Sequence, residues 1–133
     1  MAEGSASGVG EVEQVLEDLR SLSGEVTTAA VLSRDGELEA STLPPGVGRE
    51  RYAAMVAALA GAADRVAREN DGSRFTQARI KEEGGHVLLV SLKGGGTLVA
   101  TTGPDARVGL ILYDMRNVRK ELERMLGSEG GQG

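Results

Sequence analysis

Hydrophobic residues recur at helical spacing in two stretches of the chain, and a third stretch is dense in alanine. Between residues 11 and 23 the apolar positions lie three or four residues apart and most positions between them are charged. This pattern predicts an amphipathic first helix. Residues 49–70 contain no proline and many alanines, which favours a second helix. The last helix is predicted to open at Pro104-Asp105 and to keep its apolar spacing to Leu126.

Short β-rich runs lie between these helices. Residues 26–42 hold two of them around Asp35-Gly36, a pair that tolerates a tight turn, and therefore predict a hairpin. Three further runs are joined by glycine-containing turns and predict a meander: residues 73–83, 86–92 and 97–103. Apolar residues occupy both alternating faces of VLLVSL, so this strand belongs inside the sheet, whereas the more polar residues 73–83 suit an edge.

The order of these elements predicts an α+β fold. It is helix, two strands, helix, three strands, helix, which indicates a five-stranded, mainly antiparallel sheet covered on both faces. A length of 133 residues with 40% hydrophobic content fits one domain, which we place at residues 11–126. The segments 1–10 and 127–133 are rich in glycine and small polar residues and are expected to be flexible.

Charge and composition remove several classes of function. A net charge of -5 and a pI near 4.9 disfavour nucleic acid and anionic lipid as partners. The absence of cysteine excludes disulfides and thiolate zinc sites. The N-terminus lacks the order of a signal peptide, and no apolar run reaches the roughly 20 residues of a membrane span. We therefore expect a cytoplasmic protein without membrane insertion.

The stretch SLKGGGTLV, residues 91–99, has the residue types of a phosphate-binding loop. Such a loop places its lysine after the glycines and continues into a helix whose first N–H groups face the anion. Here Lys93 comes first and the following TLVATT is typical of a strand. The sequence therefore favours a hairpin turn over a nucleotide site.

Other catalytic and metal chemistry finds little support in the sequence. His86 is the only histidine, Ser91 has no base nearby in sequence, and the carboxylates show no calcium-loop spacing. His86 is interpreted as a strand-end residue. Carboxylate catalysis stays open, because pairs of acids form in space rather than in sequence. We predict no catalytic residue, cofactor or metal.

The second helix is unusual because residues 52–63 contain no charge over more than three turns. We expect its bulky side chains to seat on the sheet: Tyr52, Met55, Val56, Leu59 and Val66. Its small residues would then face water or a second copy of the same helix. The alternative is that the alanines reflect helix propensity alone.

Two segments on either side of this helix carry a family resemblance. TTAAVLSRDGELEAST, residues 27–42, and GTLVATTGPDARVGLILYDMRNV, residues 96–118, resemble the first hairpin and the last strand and helix of Roadblock/LC7 domains. This family includes the MglB-type proteins, and the similarity covers about residues 11–126. It implies a five-stranded antiparallel sheet with the middle helix on one face and the terminal helices on the other.

The resemblance also implies a dimer that pairs the middle helices and the third strands. The implied interface residues are Tyr52, Ala53, Met55, Val56, Leu59, Ala60, Ala63, Val66, Ala67, Phe75, Gln77 and Arg79. Family members commonly bind Ras-like small GTPases, and the charged residues beside the paired helices are the candidate contacts: Arg51, Asp64, Arg65 and Arg68. Ordinary helix solubility is the alternative explanation of these charges. No catalytic residue carries over from the family.

The sequence thus yields two functional hypotheses. The first is a non-enzymatic homodimeric regulator or scaffold that binds a Ras-like small GTPase and activates or localises it. The alternative is a small-molecule-sensing or signalling scaffold subunit that works with a kinase or another complex and no GTPase, since one fold hosts many functions.

Overall fold

The structure is a computed structural model that describes the backbone of residues 2–44, 46 and 48–132, and the side chains of residues 10–126 except 45 and 47. It contains the predicted order of three helices and five strands. The elements are α1 (Ala2–Ser23), β1 (Val26–Leu32), β2 (Leu38–Ser41), α2 (Arg49–Asp71), β3 (Gln77–Glu82), β4 (Gly85–Ser91), β5 (Thr97–Thr102) and α3 (Val108–Gln132).

The five strands form one antiparallel sheet in the order β2-β1-β5-β4-β3. The hairpin β1–β2 and the meander β3–β4–β5 are both confirmed. Leu88 on β4 pairs with Ala100 on one side and with Arg79 on the other, so β4 lies inside the sheet as its two apolar faces predicted. The polar strand β3 forms one edge and the short strand β2 forms the other.

Each face of the sheet carries its own hydrophobic core. Helices α1 and α3 cover one face, where Leu88 and Val90 of β4 join Leu16, Ile111 and other buried residues. Helix α2 covers the opposite face, where Leu89 of β4 packs with Val56. Because successive side chains of a strand point to opposite faces, one apolar run supplies both cores. The predicted placement of the three helices is therefore confirmed.

Two helix ends differ from the sequence prediction. Helix α1 begins at Ala2 rather than near residue 11, and α3 begins at Val108 rather than at Pro104-Asp105. The carboxylate at the start of α3 belongs to Glu25, which accepts the backbone N–H of Arg107 at 2.8 Å. The flexibility expected for residues 1–10 and 127–133 stays a prediction, and the side chains of residues 1–9 and 127–133 lie outside the described residues.

The glycine-rich segment after β4 is a tight turn, as the sequence favoured. The N–H of Leu92 donates to the carbonyl of Gly96 at 2.8 Å, and β5 follows at Thr97. A Cβ atom on Gly96 would lie 2.7 Å from the backbone oxygen of Leu32, so a side chain here would collide with β1. Close approach of the backbone explains this glycine without any ligand.

Candidate interaction surface

Helix α2 faces the sheet with Tyr52, Val56 and Leu59, as expected, and also with a row of alanines that were expected on its other side. Val56 is fully buried, and alanines at 53, 57, 60, 63 and 67 pack against the same core. Met55 and Val66 instead leave 40% and 69% of their surface exposed. The positions that face the sheet recur every three or four residues from Tyr52 to Ala67, and Met55 and Val66 lie off this row.

An uncharged surface therefore remains on the outside of the helix. We call it the outer stripe of α2, and it consists of Ala54, Met55, Ala58, Gly61, Ala62 and Val66, all exposed in the single chain. A Cβ atom added to Gly61 would meet no atom within 4 Å, so a neighbouring backbone has room to approach. A continuous apolar strip on a protein of this size is typical of an interaction site.

The predicted interface residues divide into two groups in the structure. Val56 and Phe75 lie within the core of the protomer itself, with 0% and 6% of their surface exposed. The others reach the surface: Met55, Val66, Gln77 and Arg79 are exposed, and Tyr52, Ala53, Leu59, Ala60, Ala63 and Ala67 are half-buried.

Tyr52 is fixed at the boundary between the helix and the sheet. Its hydroxyl lies 3.3 Å from the Thr28 hydroxyl on β1. Burial raises the pKa of Tyr52 above its ordinary value, and the hydrogen bond to Thr28 offsets part of that effect. The ring is thus held in place by the protomer.

The four candidate GTPase contacts also differ from one another. Arg51, Arg65 and Arg68 are exposed on α2. Asp64 is half-buried, accepts the backbone N–H of Phe75 at 3.2 Å and pairs with Arg74 at 3.4 Å. Asp64 therefore already has a role inside the protomer.

Arg74 is an important residue that the sequence analysis missed. Its guanidinium donates to the backbone oxygens of Leu92 at 3.0 Å and Gly95 at 3.3 Å. Together with Asp64 it joins α2 to the turn between β4 and β5. Asp64, Arg74 and the β4–β5 turn belong to different segments and no local motif connects them, so only the fold could reveal the link.

The β4–β5 turn is also held from the other face of the sheet. The backbone N–H of Lys93 donates to the carboxylate of Glu123 on α3 at 2.6 Å. The Lys93 N–H is thus already hydrogen-bonded to a carboxylate of the protein, whereas a phosphate-binding loop would offer such an N–H to the phosphate. A cavity of about 400 Å³ lies beside the turn, and both basic and acidic side chains line it, among them Arg34, Lys93 and Glu123.

Other chemistry is sparse in the part of the chain that the structure describes. Within residues 10–126, apart from 45 and 47, no group of three or more His, Asp or Glu side chains could hold a metal ion. His86 is the second residue of β4, close to the strand end as predicted, and its Nδ1 is buried without a hydrogen-bond partner among those residues. None of the helices described is long and apolar enough to span a bilayer.

Comparison with known proteins identifies the family to which this chain belongs. The model of the Roadblock/LC7 domain family matches residues 11–102. This chain belongs to the Roadblock/LC7 family. It is 33% identical over 114 residues to an uncharacterized protein of Methanocaldococcus jannaschii, covering 86% of this chain and 98% of that one. A second protein of the same organism is 34% identical over 114 residues, covering 86% and 95%.

Solved structures share the Roadblock/LC7 fold. Myxococcus xanthus MglB superposes with a TM-score of 0.81 at 14% identity, covering 90% of each chain. A Roadblock/LC7 domain from Streptomyces avermitilis superposes with a TM-score of 0.71 at 22% identity, covering 86% of this chain and 96% of that one. The gliding protein MglB of Thermus thermophilus superposes with a TM-score of 0.77 at 20% identity, covering 89% of this chain and 90% of that one. Roadblock/LC7 domains are regulatory rather than catalytic, which supports a regulatory role here.

Proposed function

We propose that this Roadblock/LC7 domain is a non-enzymatic, cytoplasmic regulator or scaffold that acts as a homodimer and binds a Ras-like small GTPase. The observation that carries the proposal is the outer stripe of α2, which leaves an uncharged helix face exposed in the single chain. A contiguous apolar face of this kind usually marks the site where a partner binds.

The proposed dimer brings the two outer stripes together around a two-fold axis. Met55 and Val66 supply the bulky contacts, while the alanines and Gly61 let the helices approach closely. The edge strand β3 exposes Gln77, Arg79 and Ile80, so pairing with its copy would extend the sheet and cover the edge. Val56 and Phe75 are left out of the interface because the protomer already buries them.

Self-association has support from a fold neighbour. One MglB structure, with a TM-score of 0.79 and 20% identity, is described as a tetrameric arrangement. The proposal needs only a dimer through α2 and β3, which is the smaller assembly that covers the outer stripe.

The GTPase part of the proposal rests on family membership and on the exposed basic groups of α2. Arg51, Arg65 and Arg68 lie on the same helix as the outer stripe and remain accessible. Asp64 acts indirectly in this proposal, because its pairing with Arg74 fixes the helix against the β4–β5 turn. Cations in these positions would steer a partner that presents acidic groups.

Sedimentation equilibrium tests the dimer. At about 500 mM NaCl, which screens contacts between exposed charges, we expect the wild-type chain to be a dimer at tens of micromolar. The Met55→Glu, Val66→Glu double variant should then be a folded monomer, because burying charge on the stripe is costly. The Met55→Leu, Val66→Ile double variant keeps the apolar contacts, is the matched control and should retain the dimer. A wild-type protein that sediments as a monomer would remove this half of the proposal.

Affinity capture from native lysate, with a GTP analogue or GDP present, tests the partner. Retention of a Ras-like GTPase in one nucleotide state supports the proposal. Capture of a kinase with no GTPase would instead favour the scaffold alternative. Once a GTPase is identified, reversing Arg65 and Arg68 to glutamate should lower its affinity, whereas reversing the exposed Lys120 on the opposite face of the sheet should not. Unchanged affinity would exclude both arginines as contacts.

A further inference from the structure

The two helices on the other face of the sheet carry opposite charge on their outer surfaces. The exposed charges of α1 are mostly acidic, with Glu11, Glu13 and Asp18 at the surface. The exposed charges of α3 are mostly basic: Arg116, Lys120 and Arg124. The whole protein has a net charge of -5, so the mostly basic surface of α3 is opposite in sign to the protein as a whole.

The charges are spaced to form two lines of similar length. Arg116, Lys120 and Arg124 recur every four residues, which aligns them over about 12 Å at a rise of 1.5 Å per residue. On α1, Glu11 and Asp18 lie two turns apart, which corresponds to about 10 Å along that helix. One line can therefore lie along the other over most of its length.

These charges are not already paired across the layer. Arg20 pairs with Glu17 at 2.9 Å within α1, and Arg124 lies 3.8 Å from Glu121 within α3. Among residues 10–126 apart from 45 and 47, no salt bridge joins α1 to α3. Arg116 also donates to the side-chain oxygen of Gln77 on β3 at 3.2 Å. The opposite charges of α1 and α3 therefore do not neutralise each other within the protomer.

Exposed apolar side chains accompany the charges on the same two helices. Leu22 on α1 is 71% exposed, and Leu110 and Tyr113 on α3 are 55% and 57% exposed. Leu110 and Tyr113 are three residues apart, so they share one side of the first turns of α3. Each helix therefore presents exposed apolar side chains near one end and a row of charged side chains along its length. Protein interfaces commonly combine apolar contacts with a polar rim in this way.

Charge complementarity selects a second copy of this chain as the occupant. We infer that the α1/α3 layer is a second self-association surface, in which α1 of each protomer lies on α3 of its partner. A two-fold axis that runs along the helices gives two such contacts at once, acidic line against basic line. The other two-fold arrangement would set α3 against α3 and bring cations together, which is unfavourable.

This surface is independent of the proposed function. The α1/α3 layer and α2 cover opposite faces of the sheet, so both surfaces can be occupied together. The two associations also differ chemically, because the outer stripe of α2 is uncharged whereas the α1/α3 contact depends on ion pairs. Salt should weaken the second contact far more than the first.

Charge exchange between two variants tests the inference. The first variant reverses α3 (Lys120→Glu, Arg124→Glu) and the second reverses α1 (Glu11→Lys, Asp18→Lys). Alone, each places like charges on both helices, and we expect its self-association constant to fall roughly tenfold or more. Mixed in equal amounts, the two variants restore complementary charge on both contacts and should associate as the chain without these charge reversals does.

The measurement is sedimentation velocity in the Met55→Glu, Val66→Glu background, which removes the α2 dimer. There the α1/α3 contact alone should give a dimer that dissociates between about 50 and about 500 mM NaCl. A control with the same change of charge at exposed sites off the layer, Glu37→Lys with Glu83→Lys, should behave as the background does. The inference is overturned if the background chain is monomeric at low salt, or if the mixture associates no better than either variant alone. Neither result affects the α2 dimer, which is assayed in the wild-type background.

Discussion

At the scale of single residues, the structure gives Gly85 a packing role that its position in a Glu-Gly-Gly turn does not reveal. A Cβ atom there would lie 1.8 Å from the backbone oxygen of Thr102 on β5. We expect Gly85→Ala to lower the free energy of unfolding by about 3 kcal/mol or more, because β4 and β5 would have to separate. Urea denaturation measures this loss.

The neighbouring glycine is the control for that prediction. A Cβ atom on Gly84 would come no closer than 3.6 Å to the flexible side chain of Glu82. Gly84→Ala should therefore change the stability little. Equal losses for the two substitutions would show that turn flexibility, and not the contact with Thr102, governs both positions.

His86 gives a second prediction at this scale. The side chain is only 7% exposed, and its Nδ1 has no hydrogen-bond partner among residues 10–126 except 45 and 47. Leucine has a similar size and no polar atom, so His86→Leu should raise the free energy of unfolding by about 1 kcal/mol. Denaturation at pH 7 measures the change. A loss of stability would mean that the histidine makes a contact of its own, which His86→Gln should then partly preserve.

At the scale of elements, the start of α3 depends on a residue more than eighty positions earlier in the chain. The Glu25 carboxylate accepts the Arg107 N–H and pairs with the Arg107 guanidinium at 3.1 Å. These hydrogen bonds hold the pKa of Glu25 below its ordinary value of 4.5. A carboxylate at this position also suits the positive end of the helix dipole.

The sign of this pKa shift fixes the pH dependence. A lowered folded pKa means that ionised Glu25 stabilises the protein above pH 4.5 and that this contribution is lost as the pH falls through the folded value. We expect Glu25→Gln to be less stable than the wild-type chain at pH 7 and the difference to shrink below pH 4.5. Thermal unfolding across this pH range measures it, with the exposed Glu37→Gln as control. A difference that stays constant with pH would contradict the ionic role of Glu25.

The link from α2 to the β4–β5 turn gives a prediction about local motion. Arg74 holds the carbonyls of Leu92 and Gly95, and Asp64 holds Arg74. Arg74→Ala should therefore speed hydrogen exchange of the Leu92 and Gly95 amides, which close the turn, more than that of the β1 amides. Glu83→Ala, at an exposed position in the β3–β4 turn, is the control. Equal protection of the Leu92 and Gly95 amides in the two variants would show that the turn does not depend on Arg74.

The elements that the sequence predicted well are those whose signal is local. Alternation along VLLVSL placed β4 inside the sheet, and the spacing of apolar residues located α1 and α3. Local signals failed where distant contacts decide. Glu25 helps to set where α3 starts, and Arg74, which lies between α2 and β3, holds the turn between β4 and β5. The orientation of α2 was predicted only in part: Val56 packs on the sheet as expected, whereas Met55 and Val66 are exposed. Alanine fits either side of a helix and so leaves its rotation undetermined.

At the scale of the whole molecule, one sheet separates two surfaces of different chemistry. The outer stripe of α2 is uncharged and lies on one side, and the charged lines of α1 and α3 lie on the other. The family resemblance pointed to the first surface through the sequence of α2. The second required the fold, because only the packing of α1 beside α3 brings their charges into one layer.

This separation predicts that the two proposed contacts contribute independently to assembly. Substitutions on opposite faces of the sheet share no neighbours, so their effects on the free energy of association should add. The wild-type chain should exceed a dimer in mass at low salt, and each set of substitutions should reduce it to a different dimer. The chain carrying Met55→Glu, Val66→Glu, Lys120→Glu and Arg124→Glu should be a folded monomer at every salt concentration.

Salt distinguishes the two intermediate species in the same experiment. The dimer that remains after substitution of α3 is held by apolar α2 contacts and should persist at about 500 mM NaCl, whereas the dimer that remains after substitution of α2 should dissociate. Sedimentation velocity at two salt concentrations resolves all four chains. If both intermediate dimers respond to salt alike, the two faces do not have the separate chemistry inferred from their side chains.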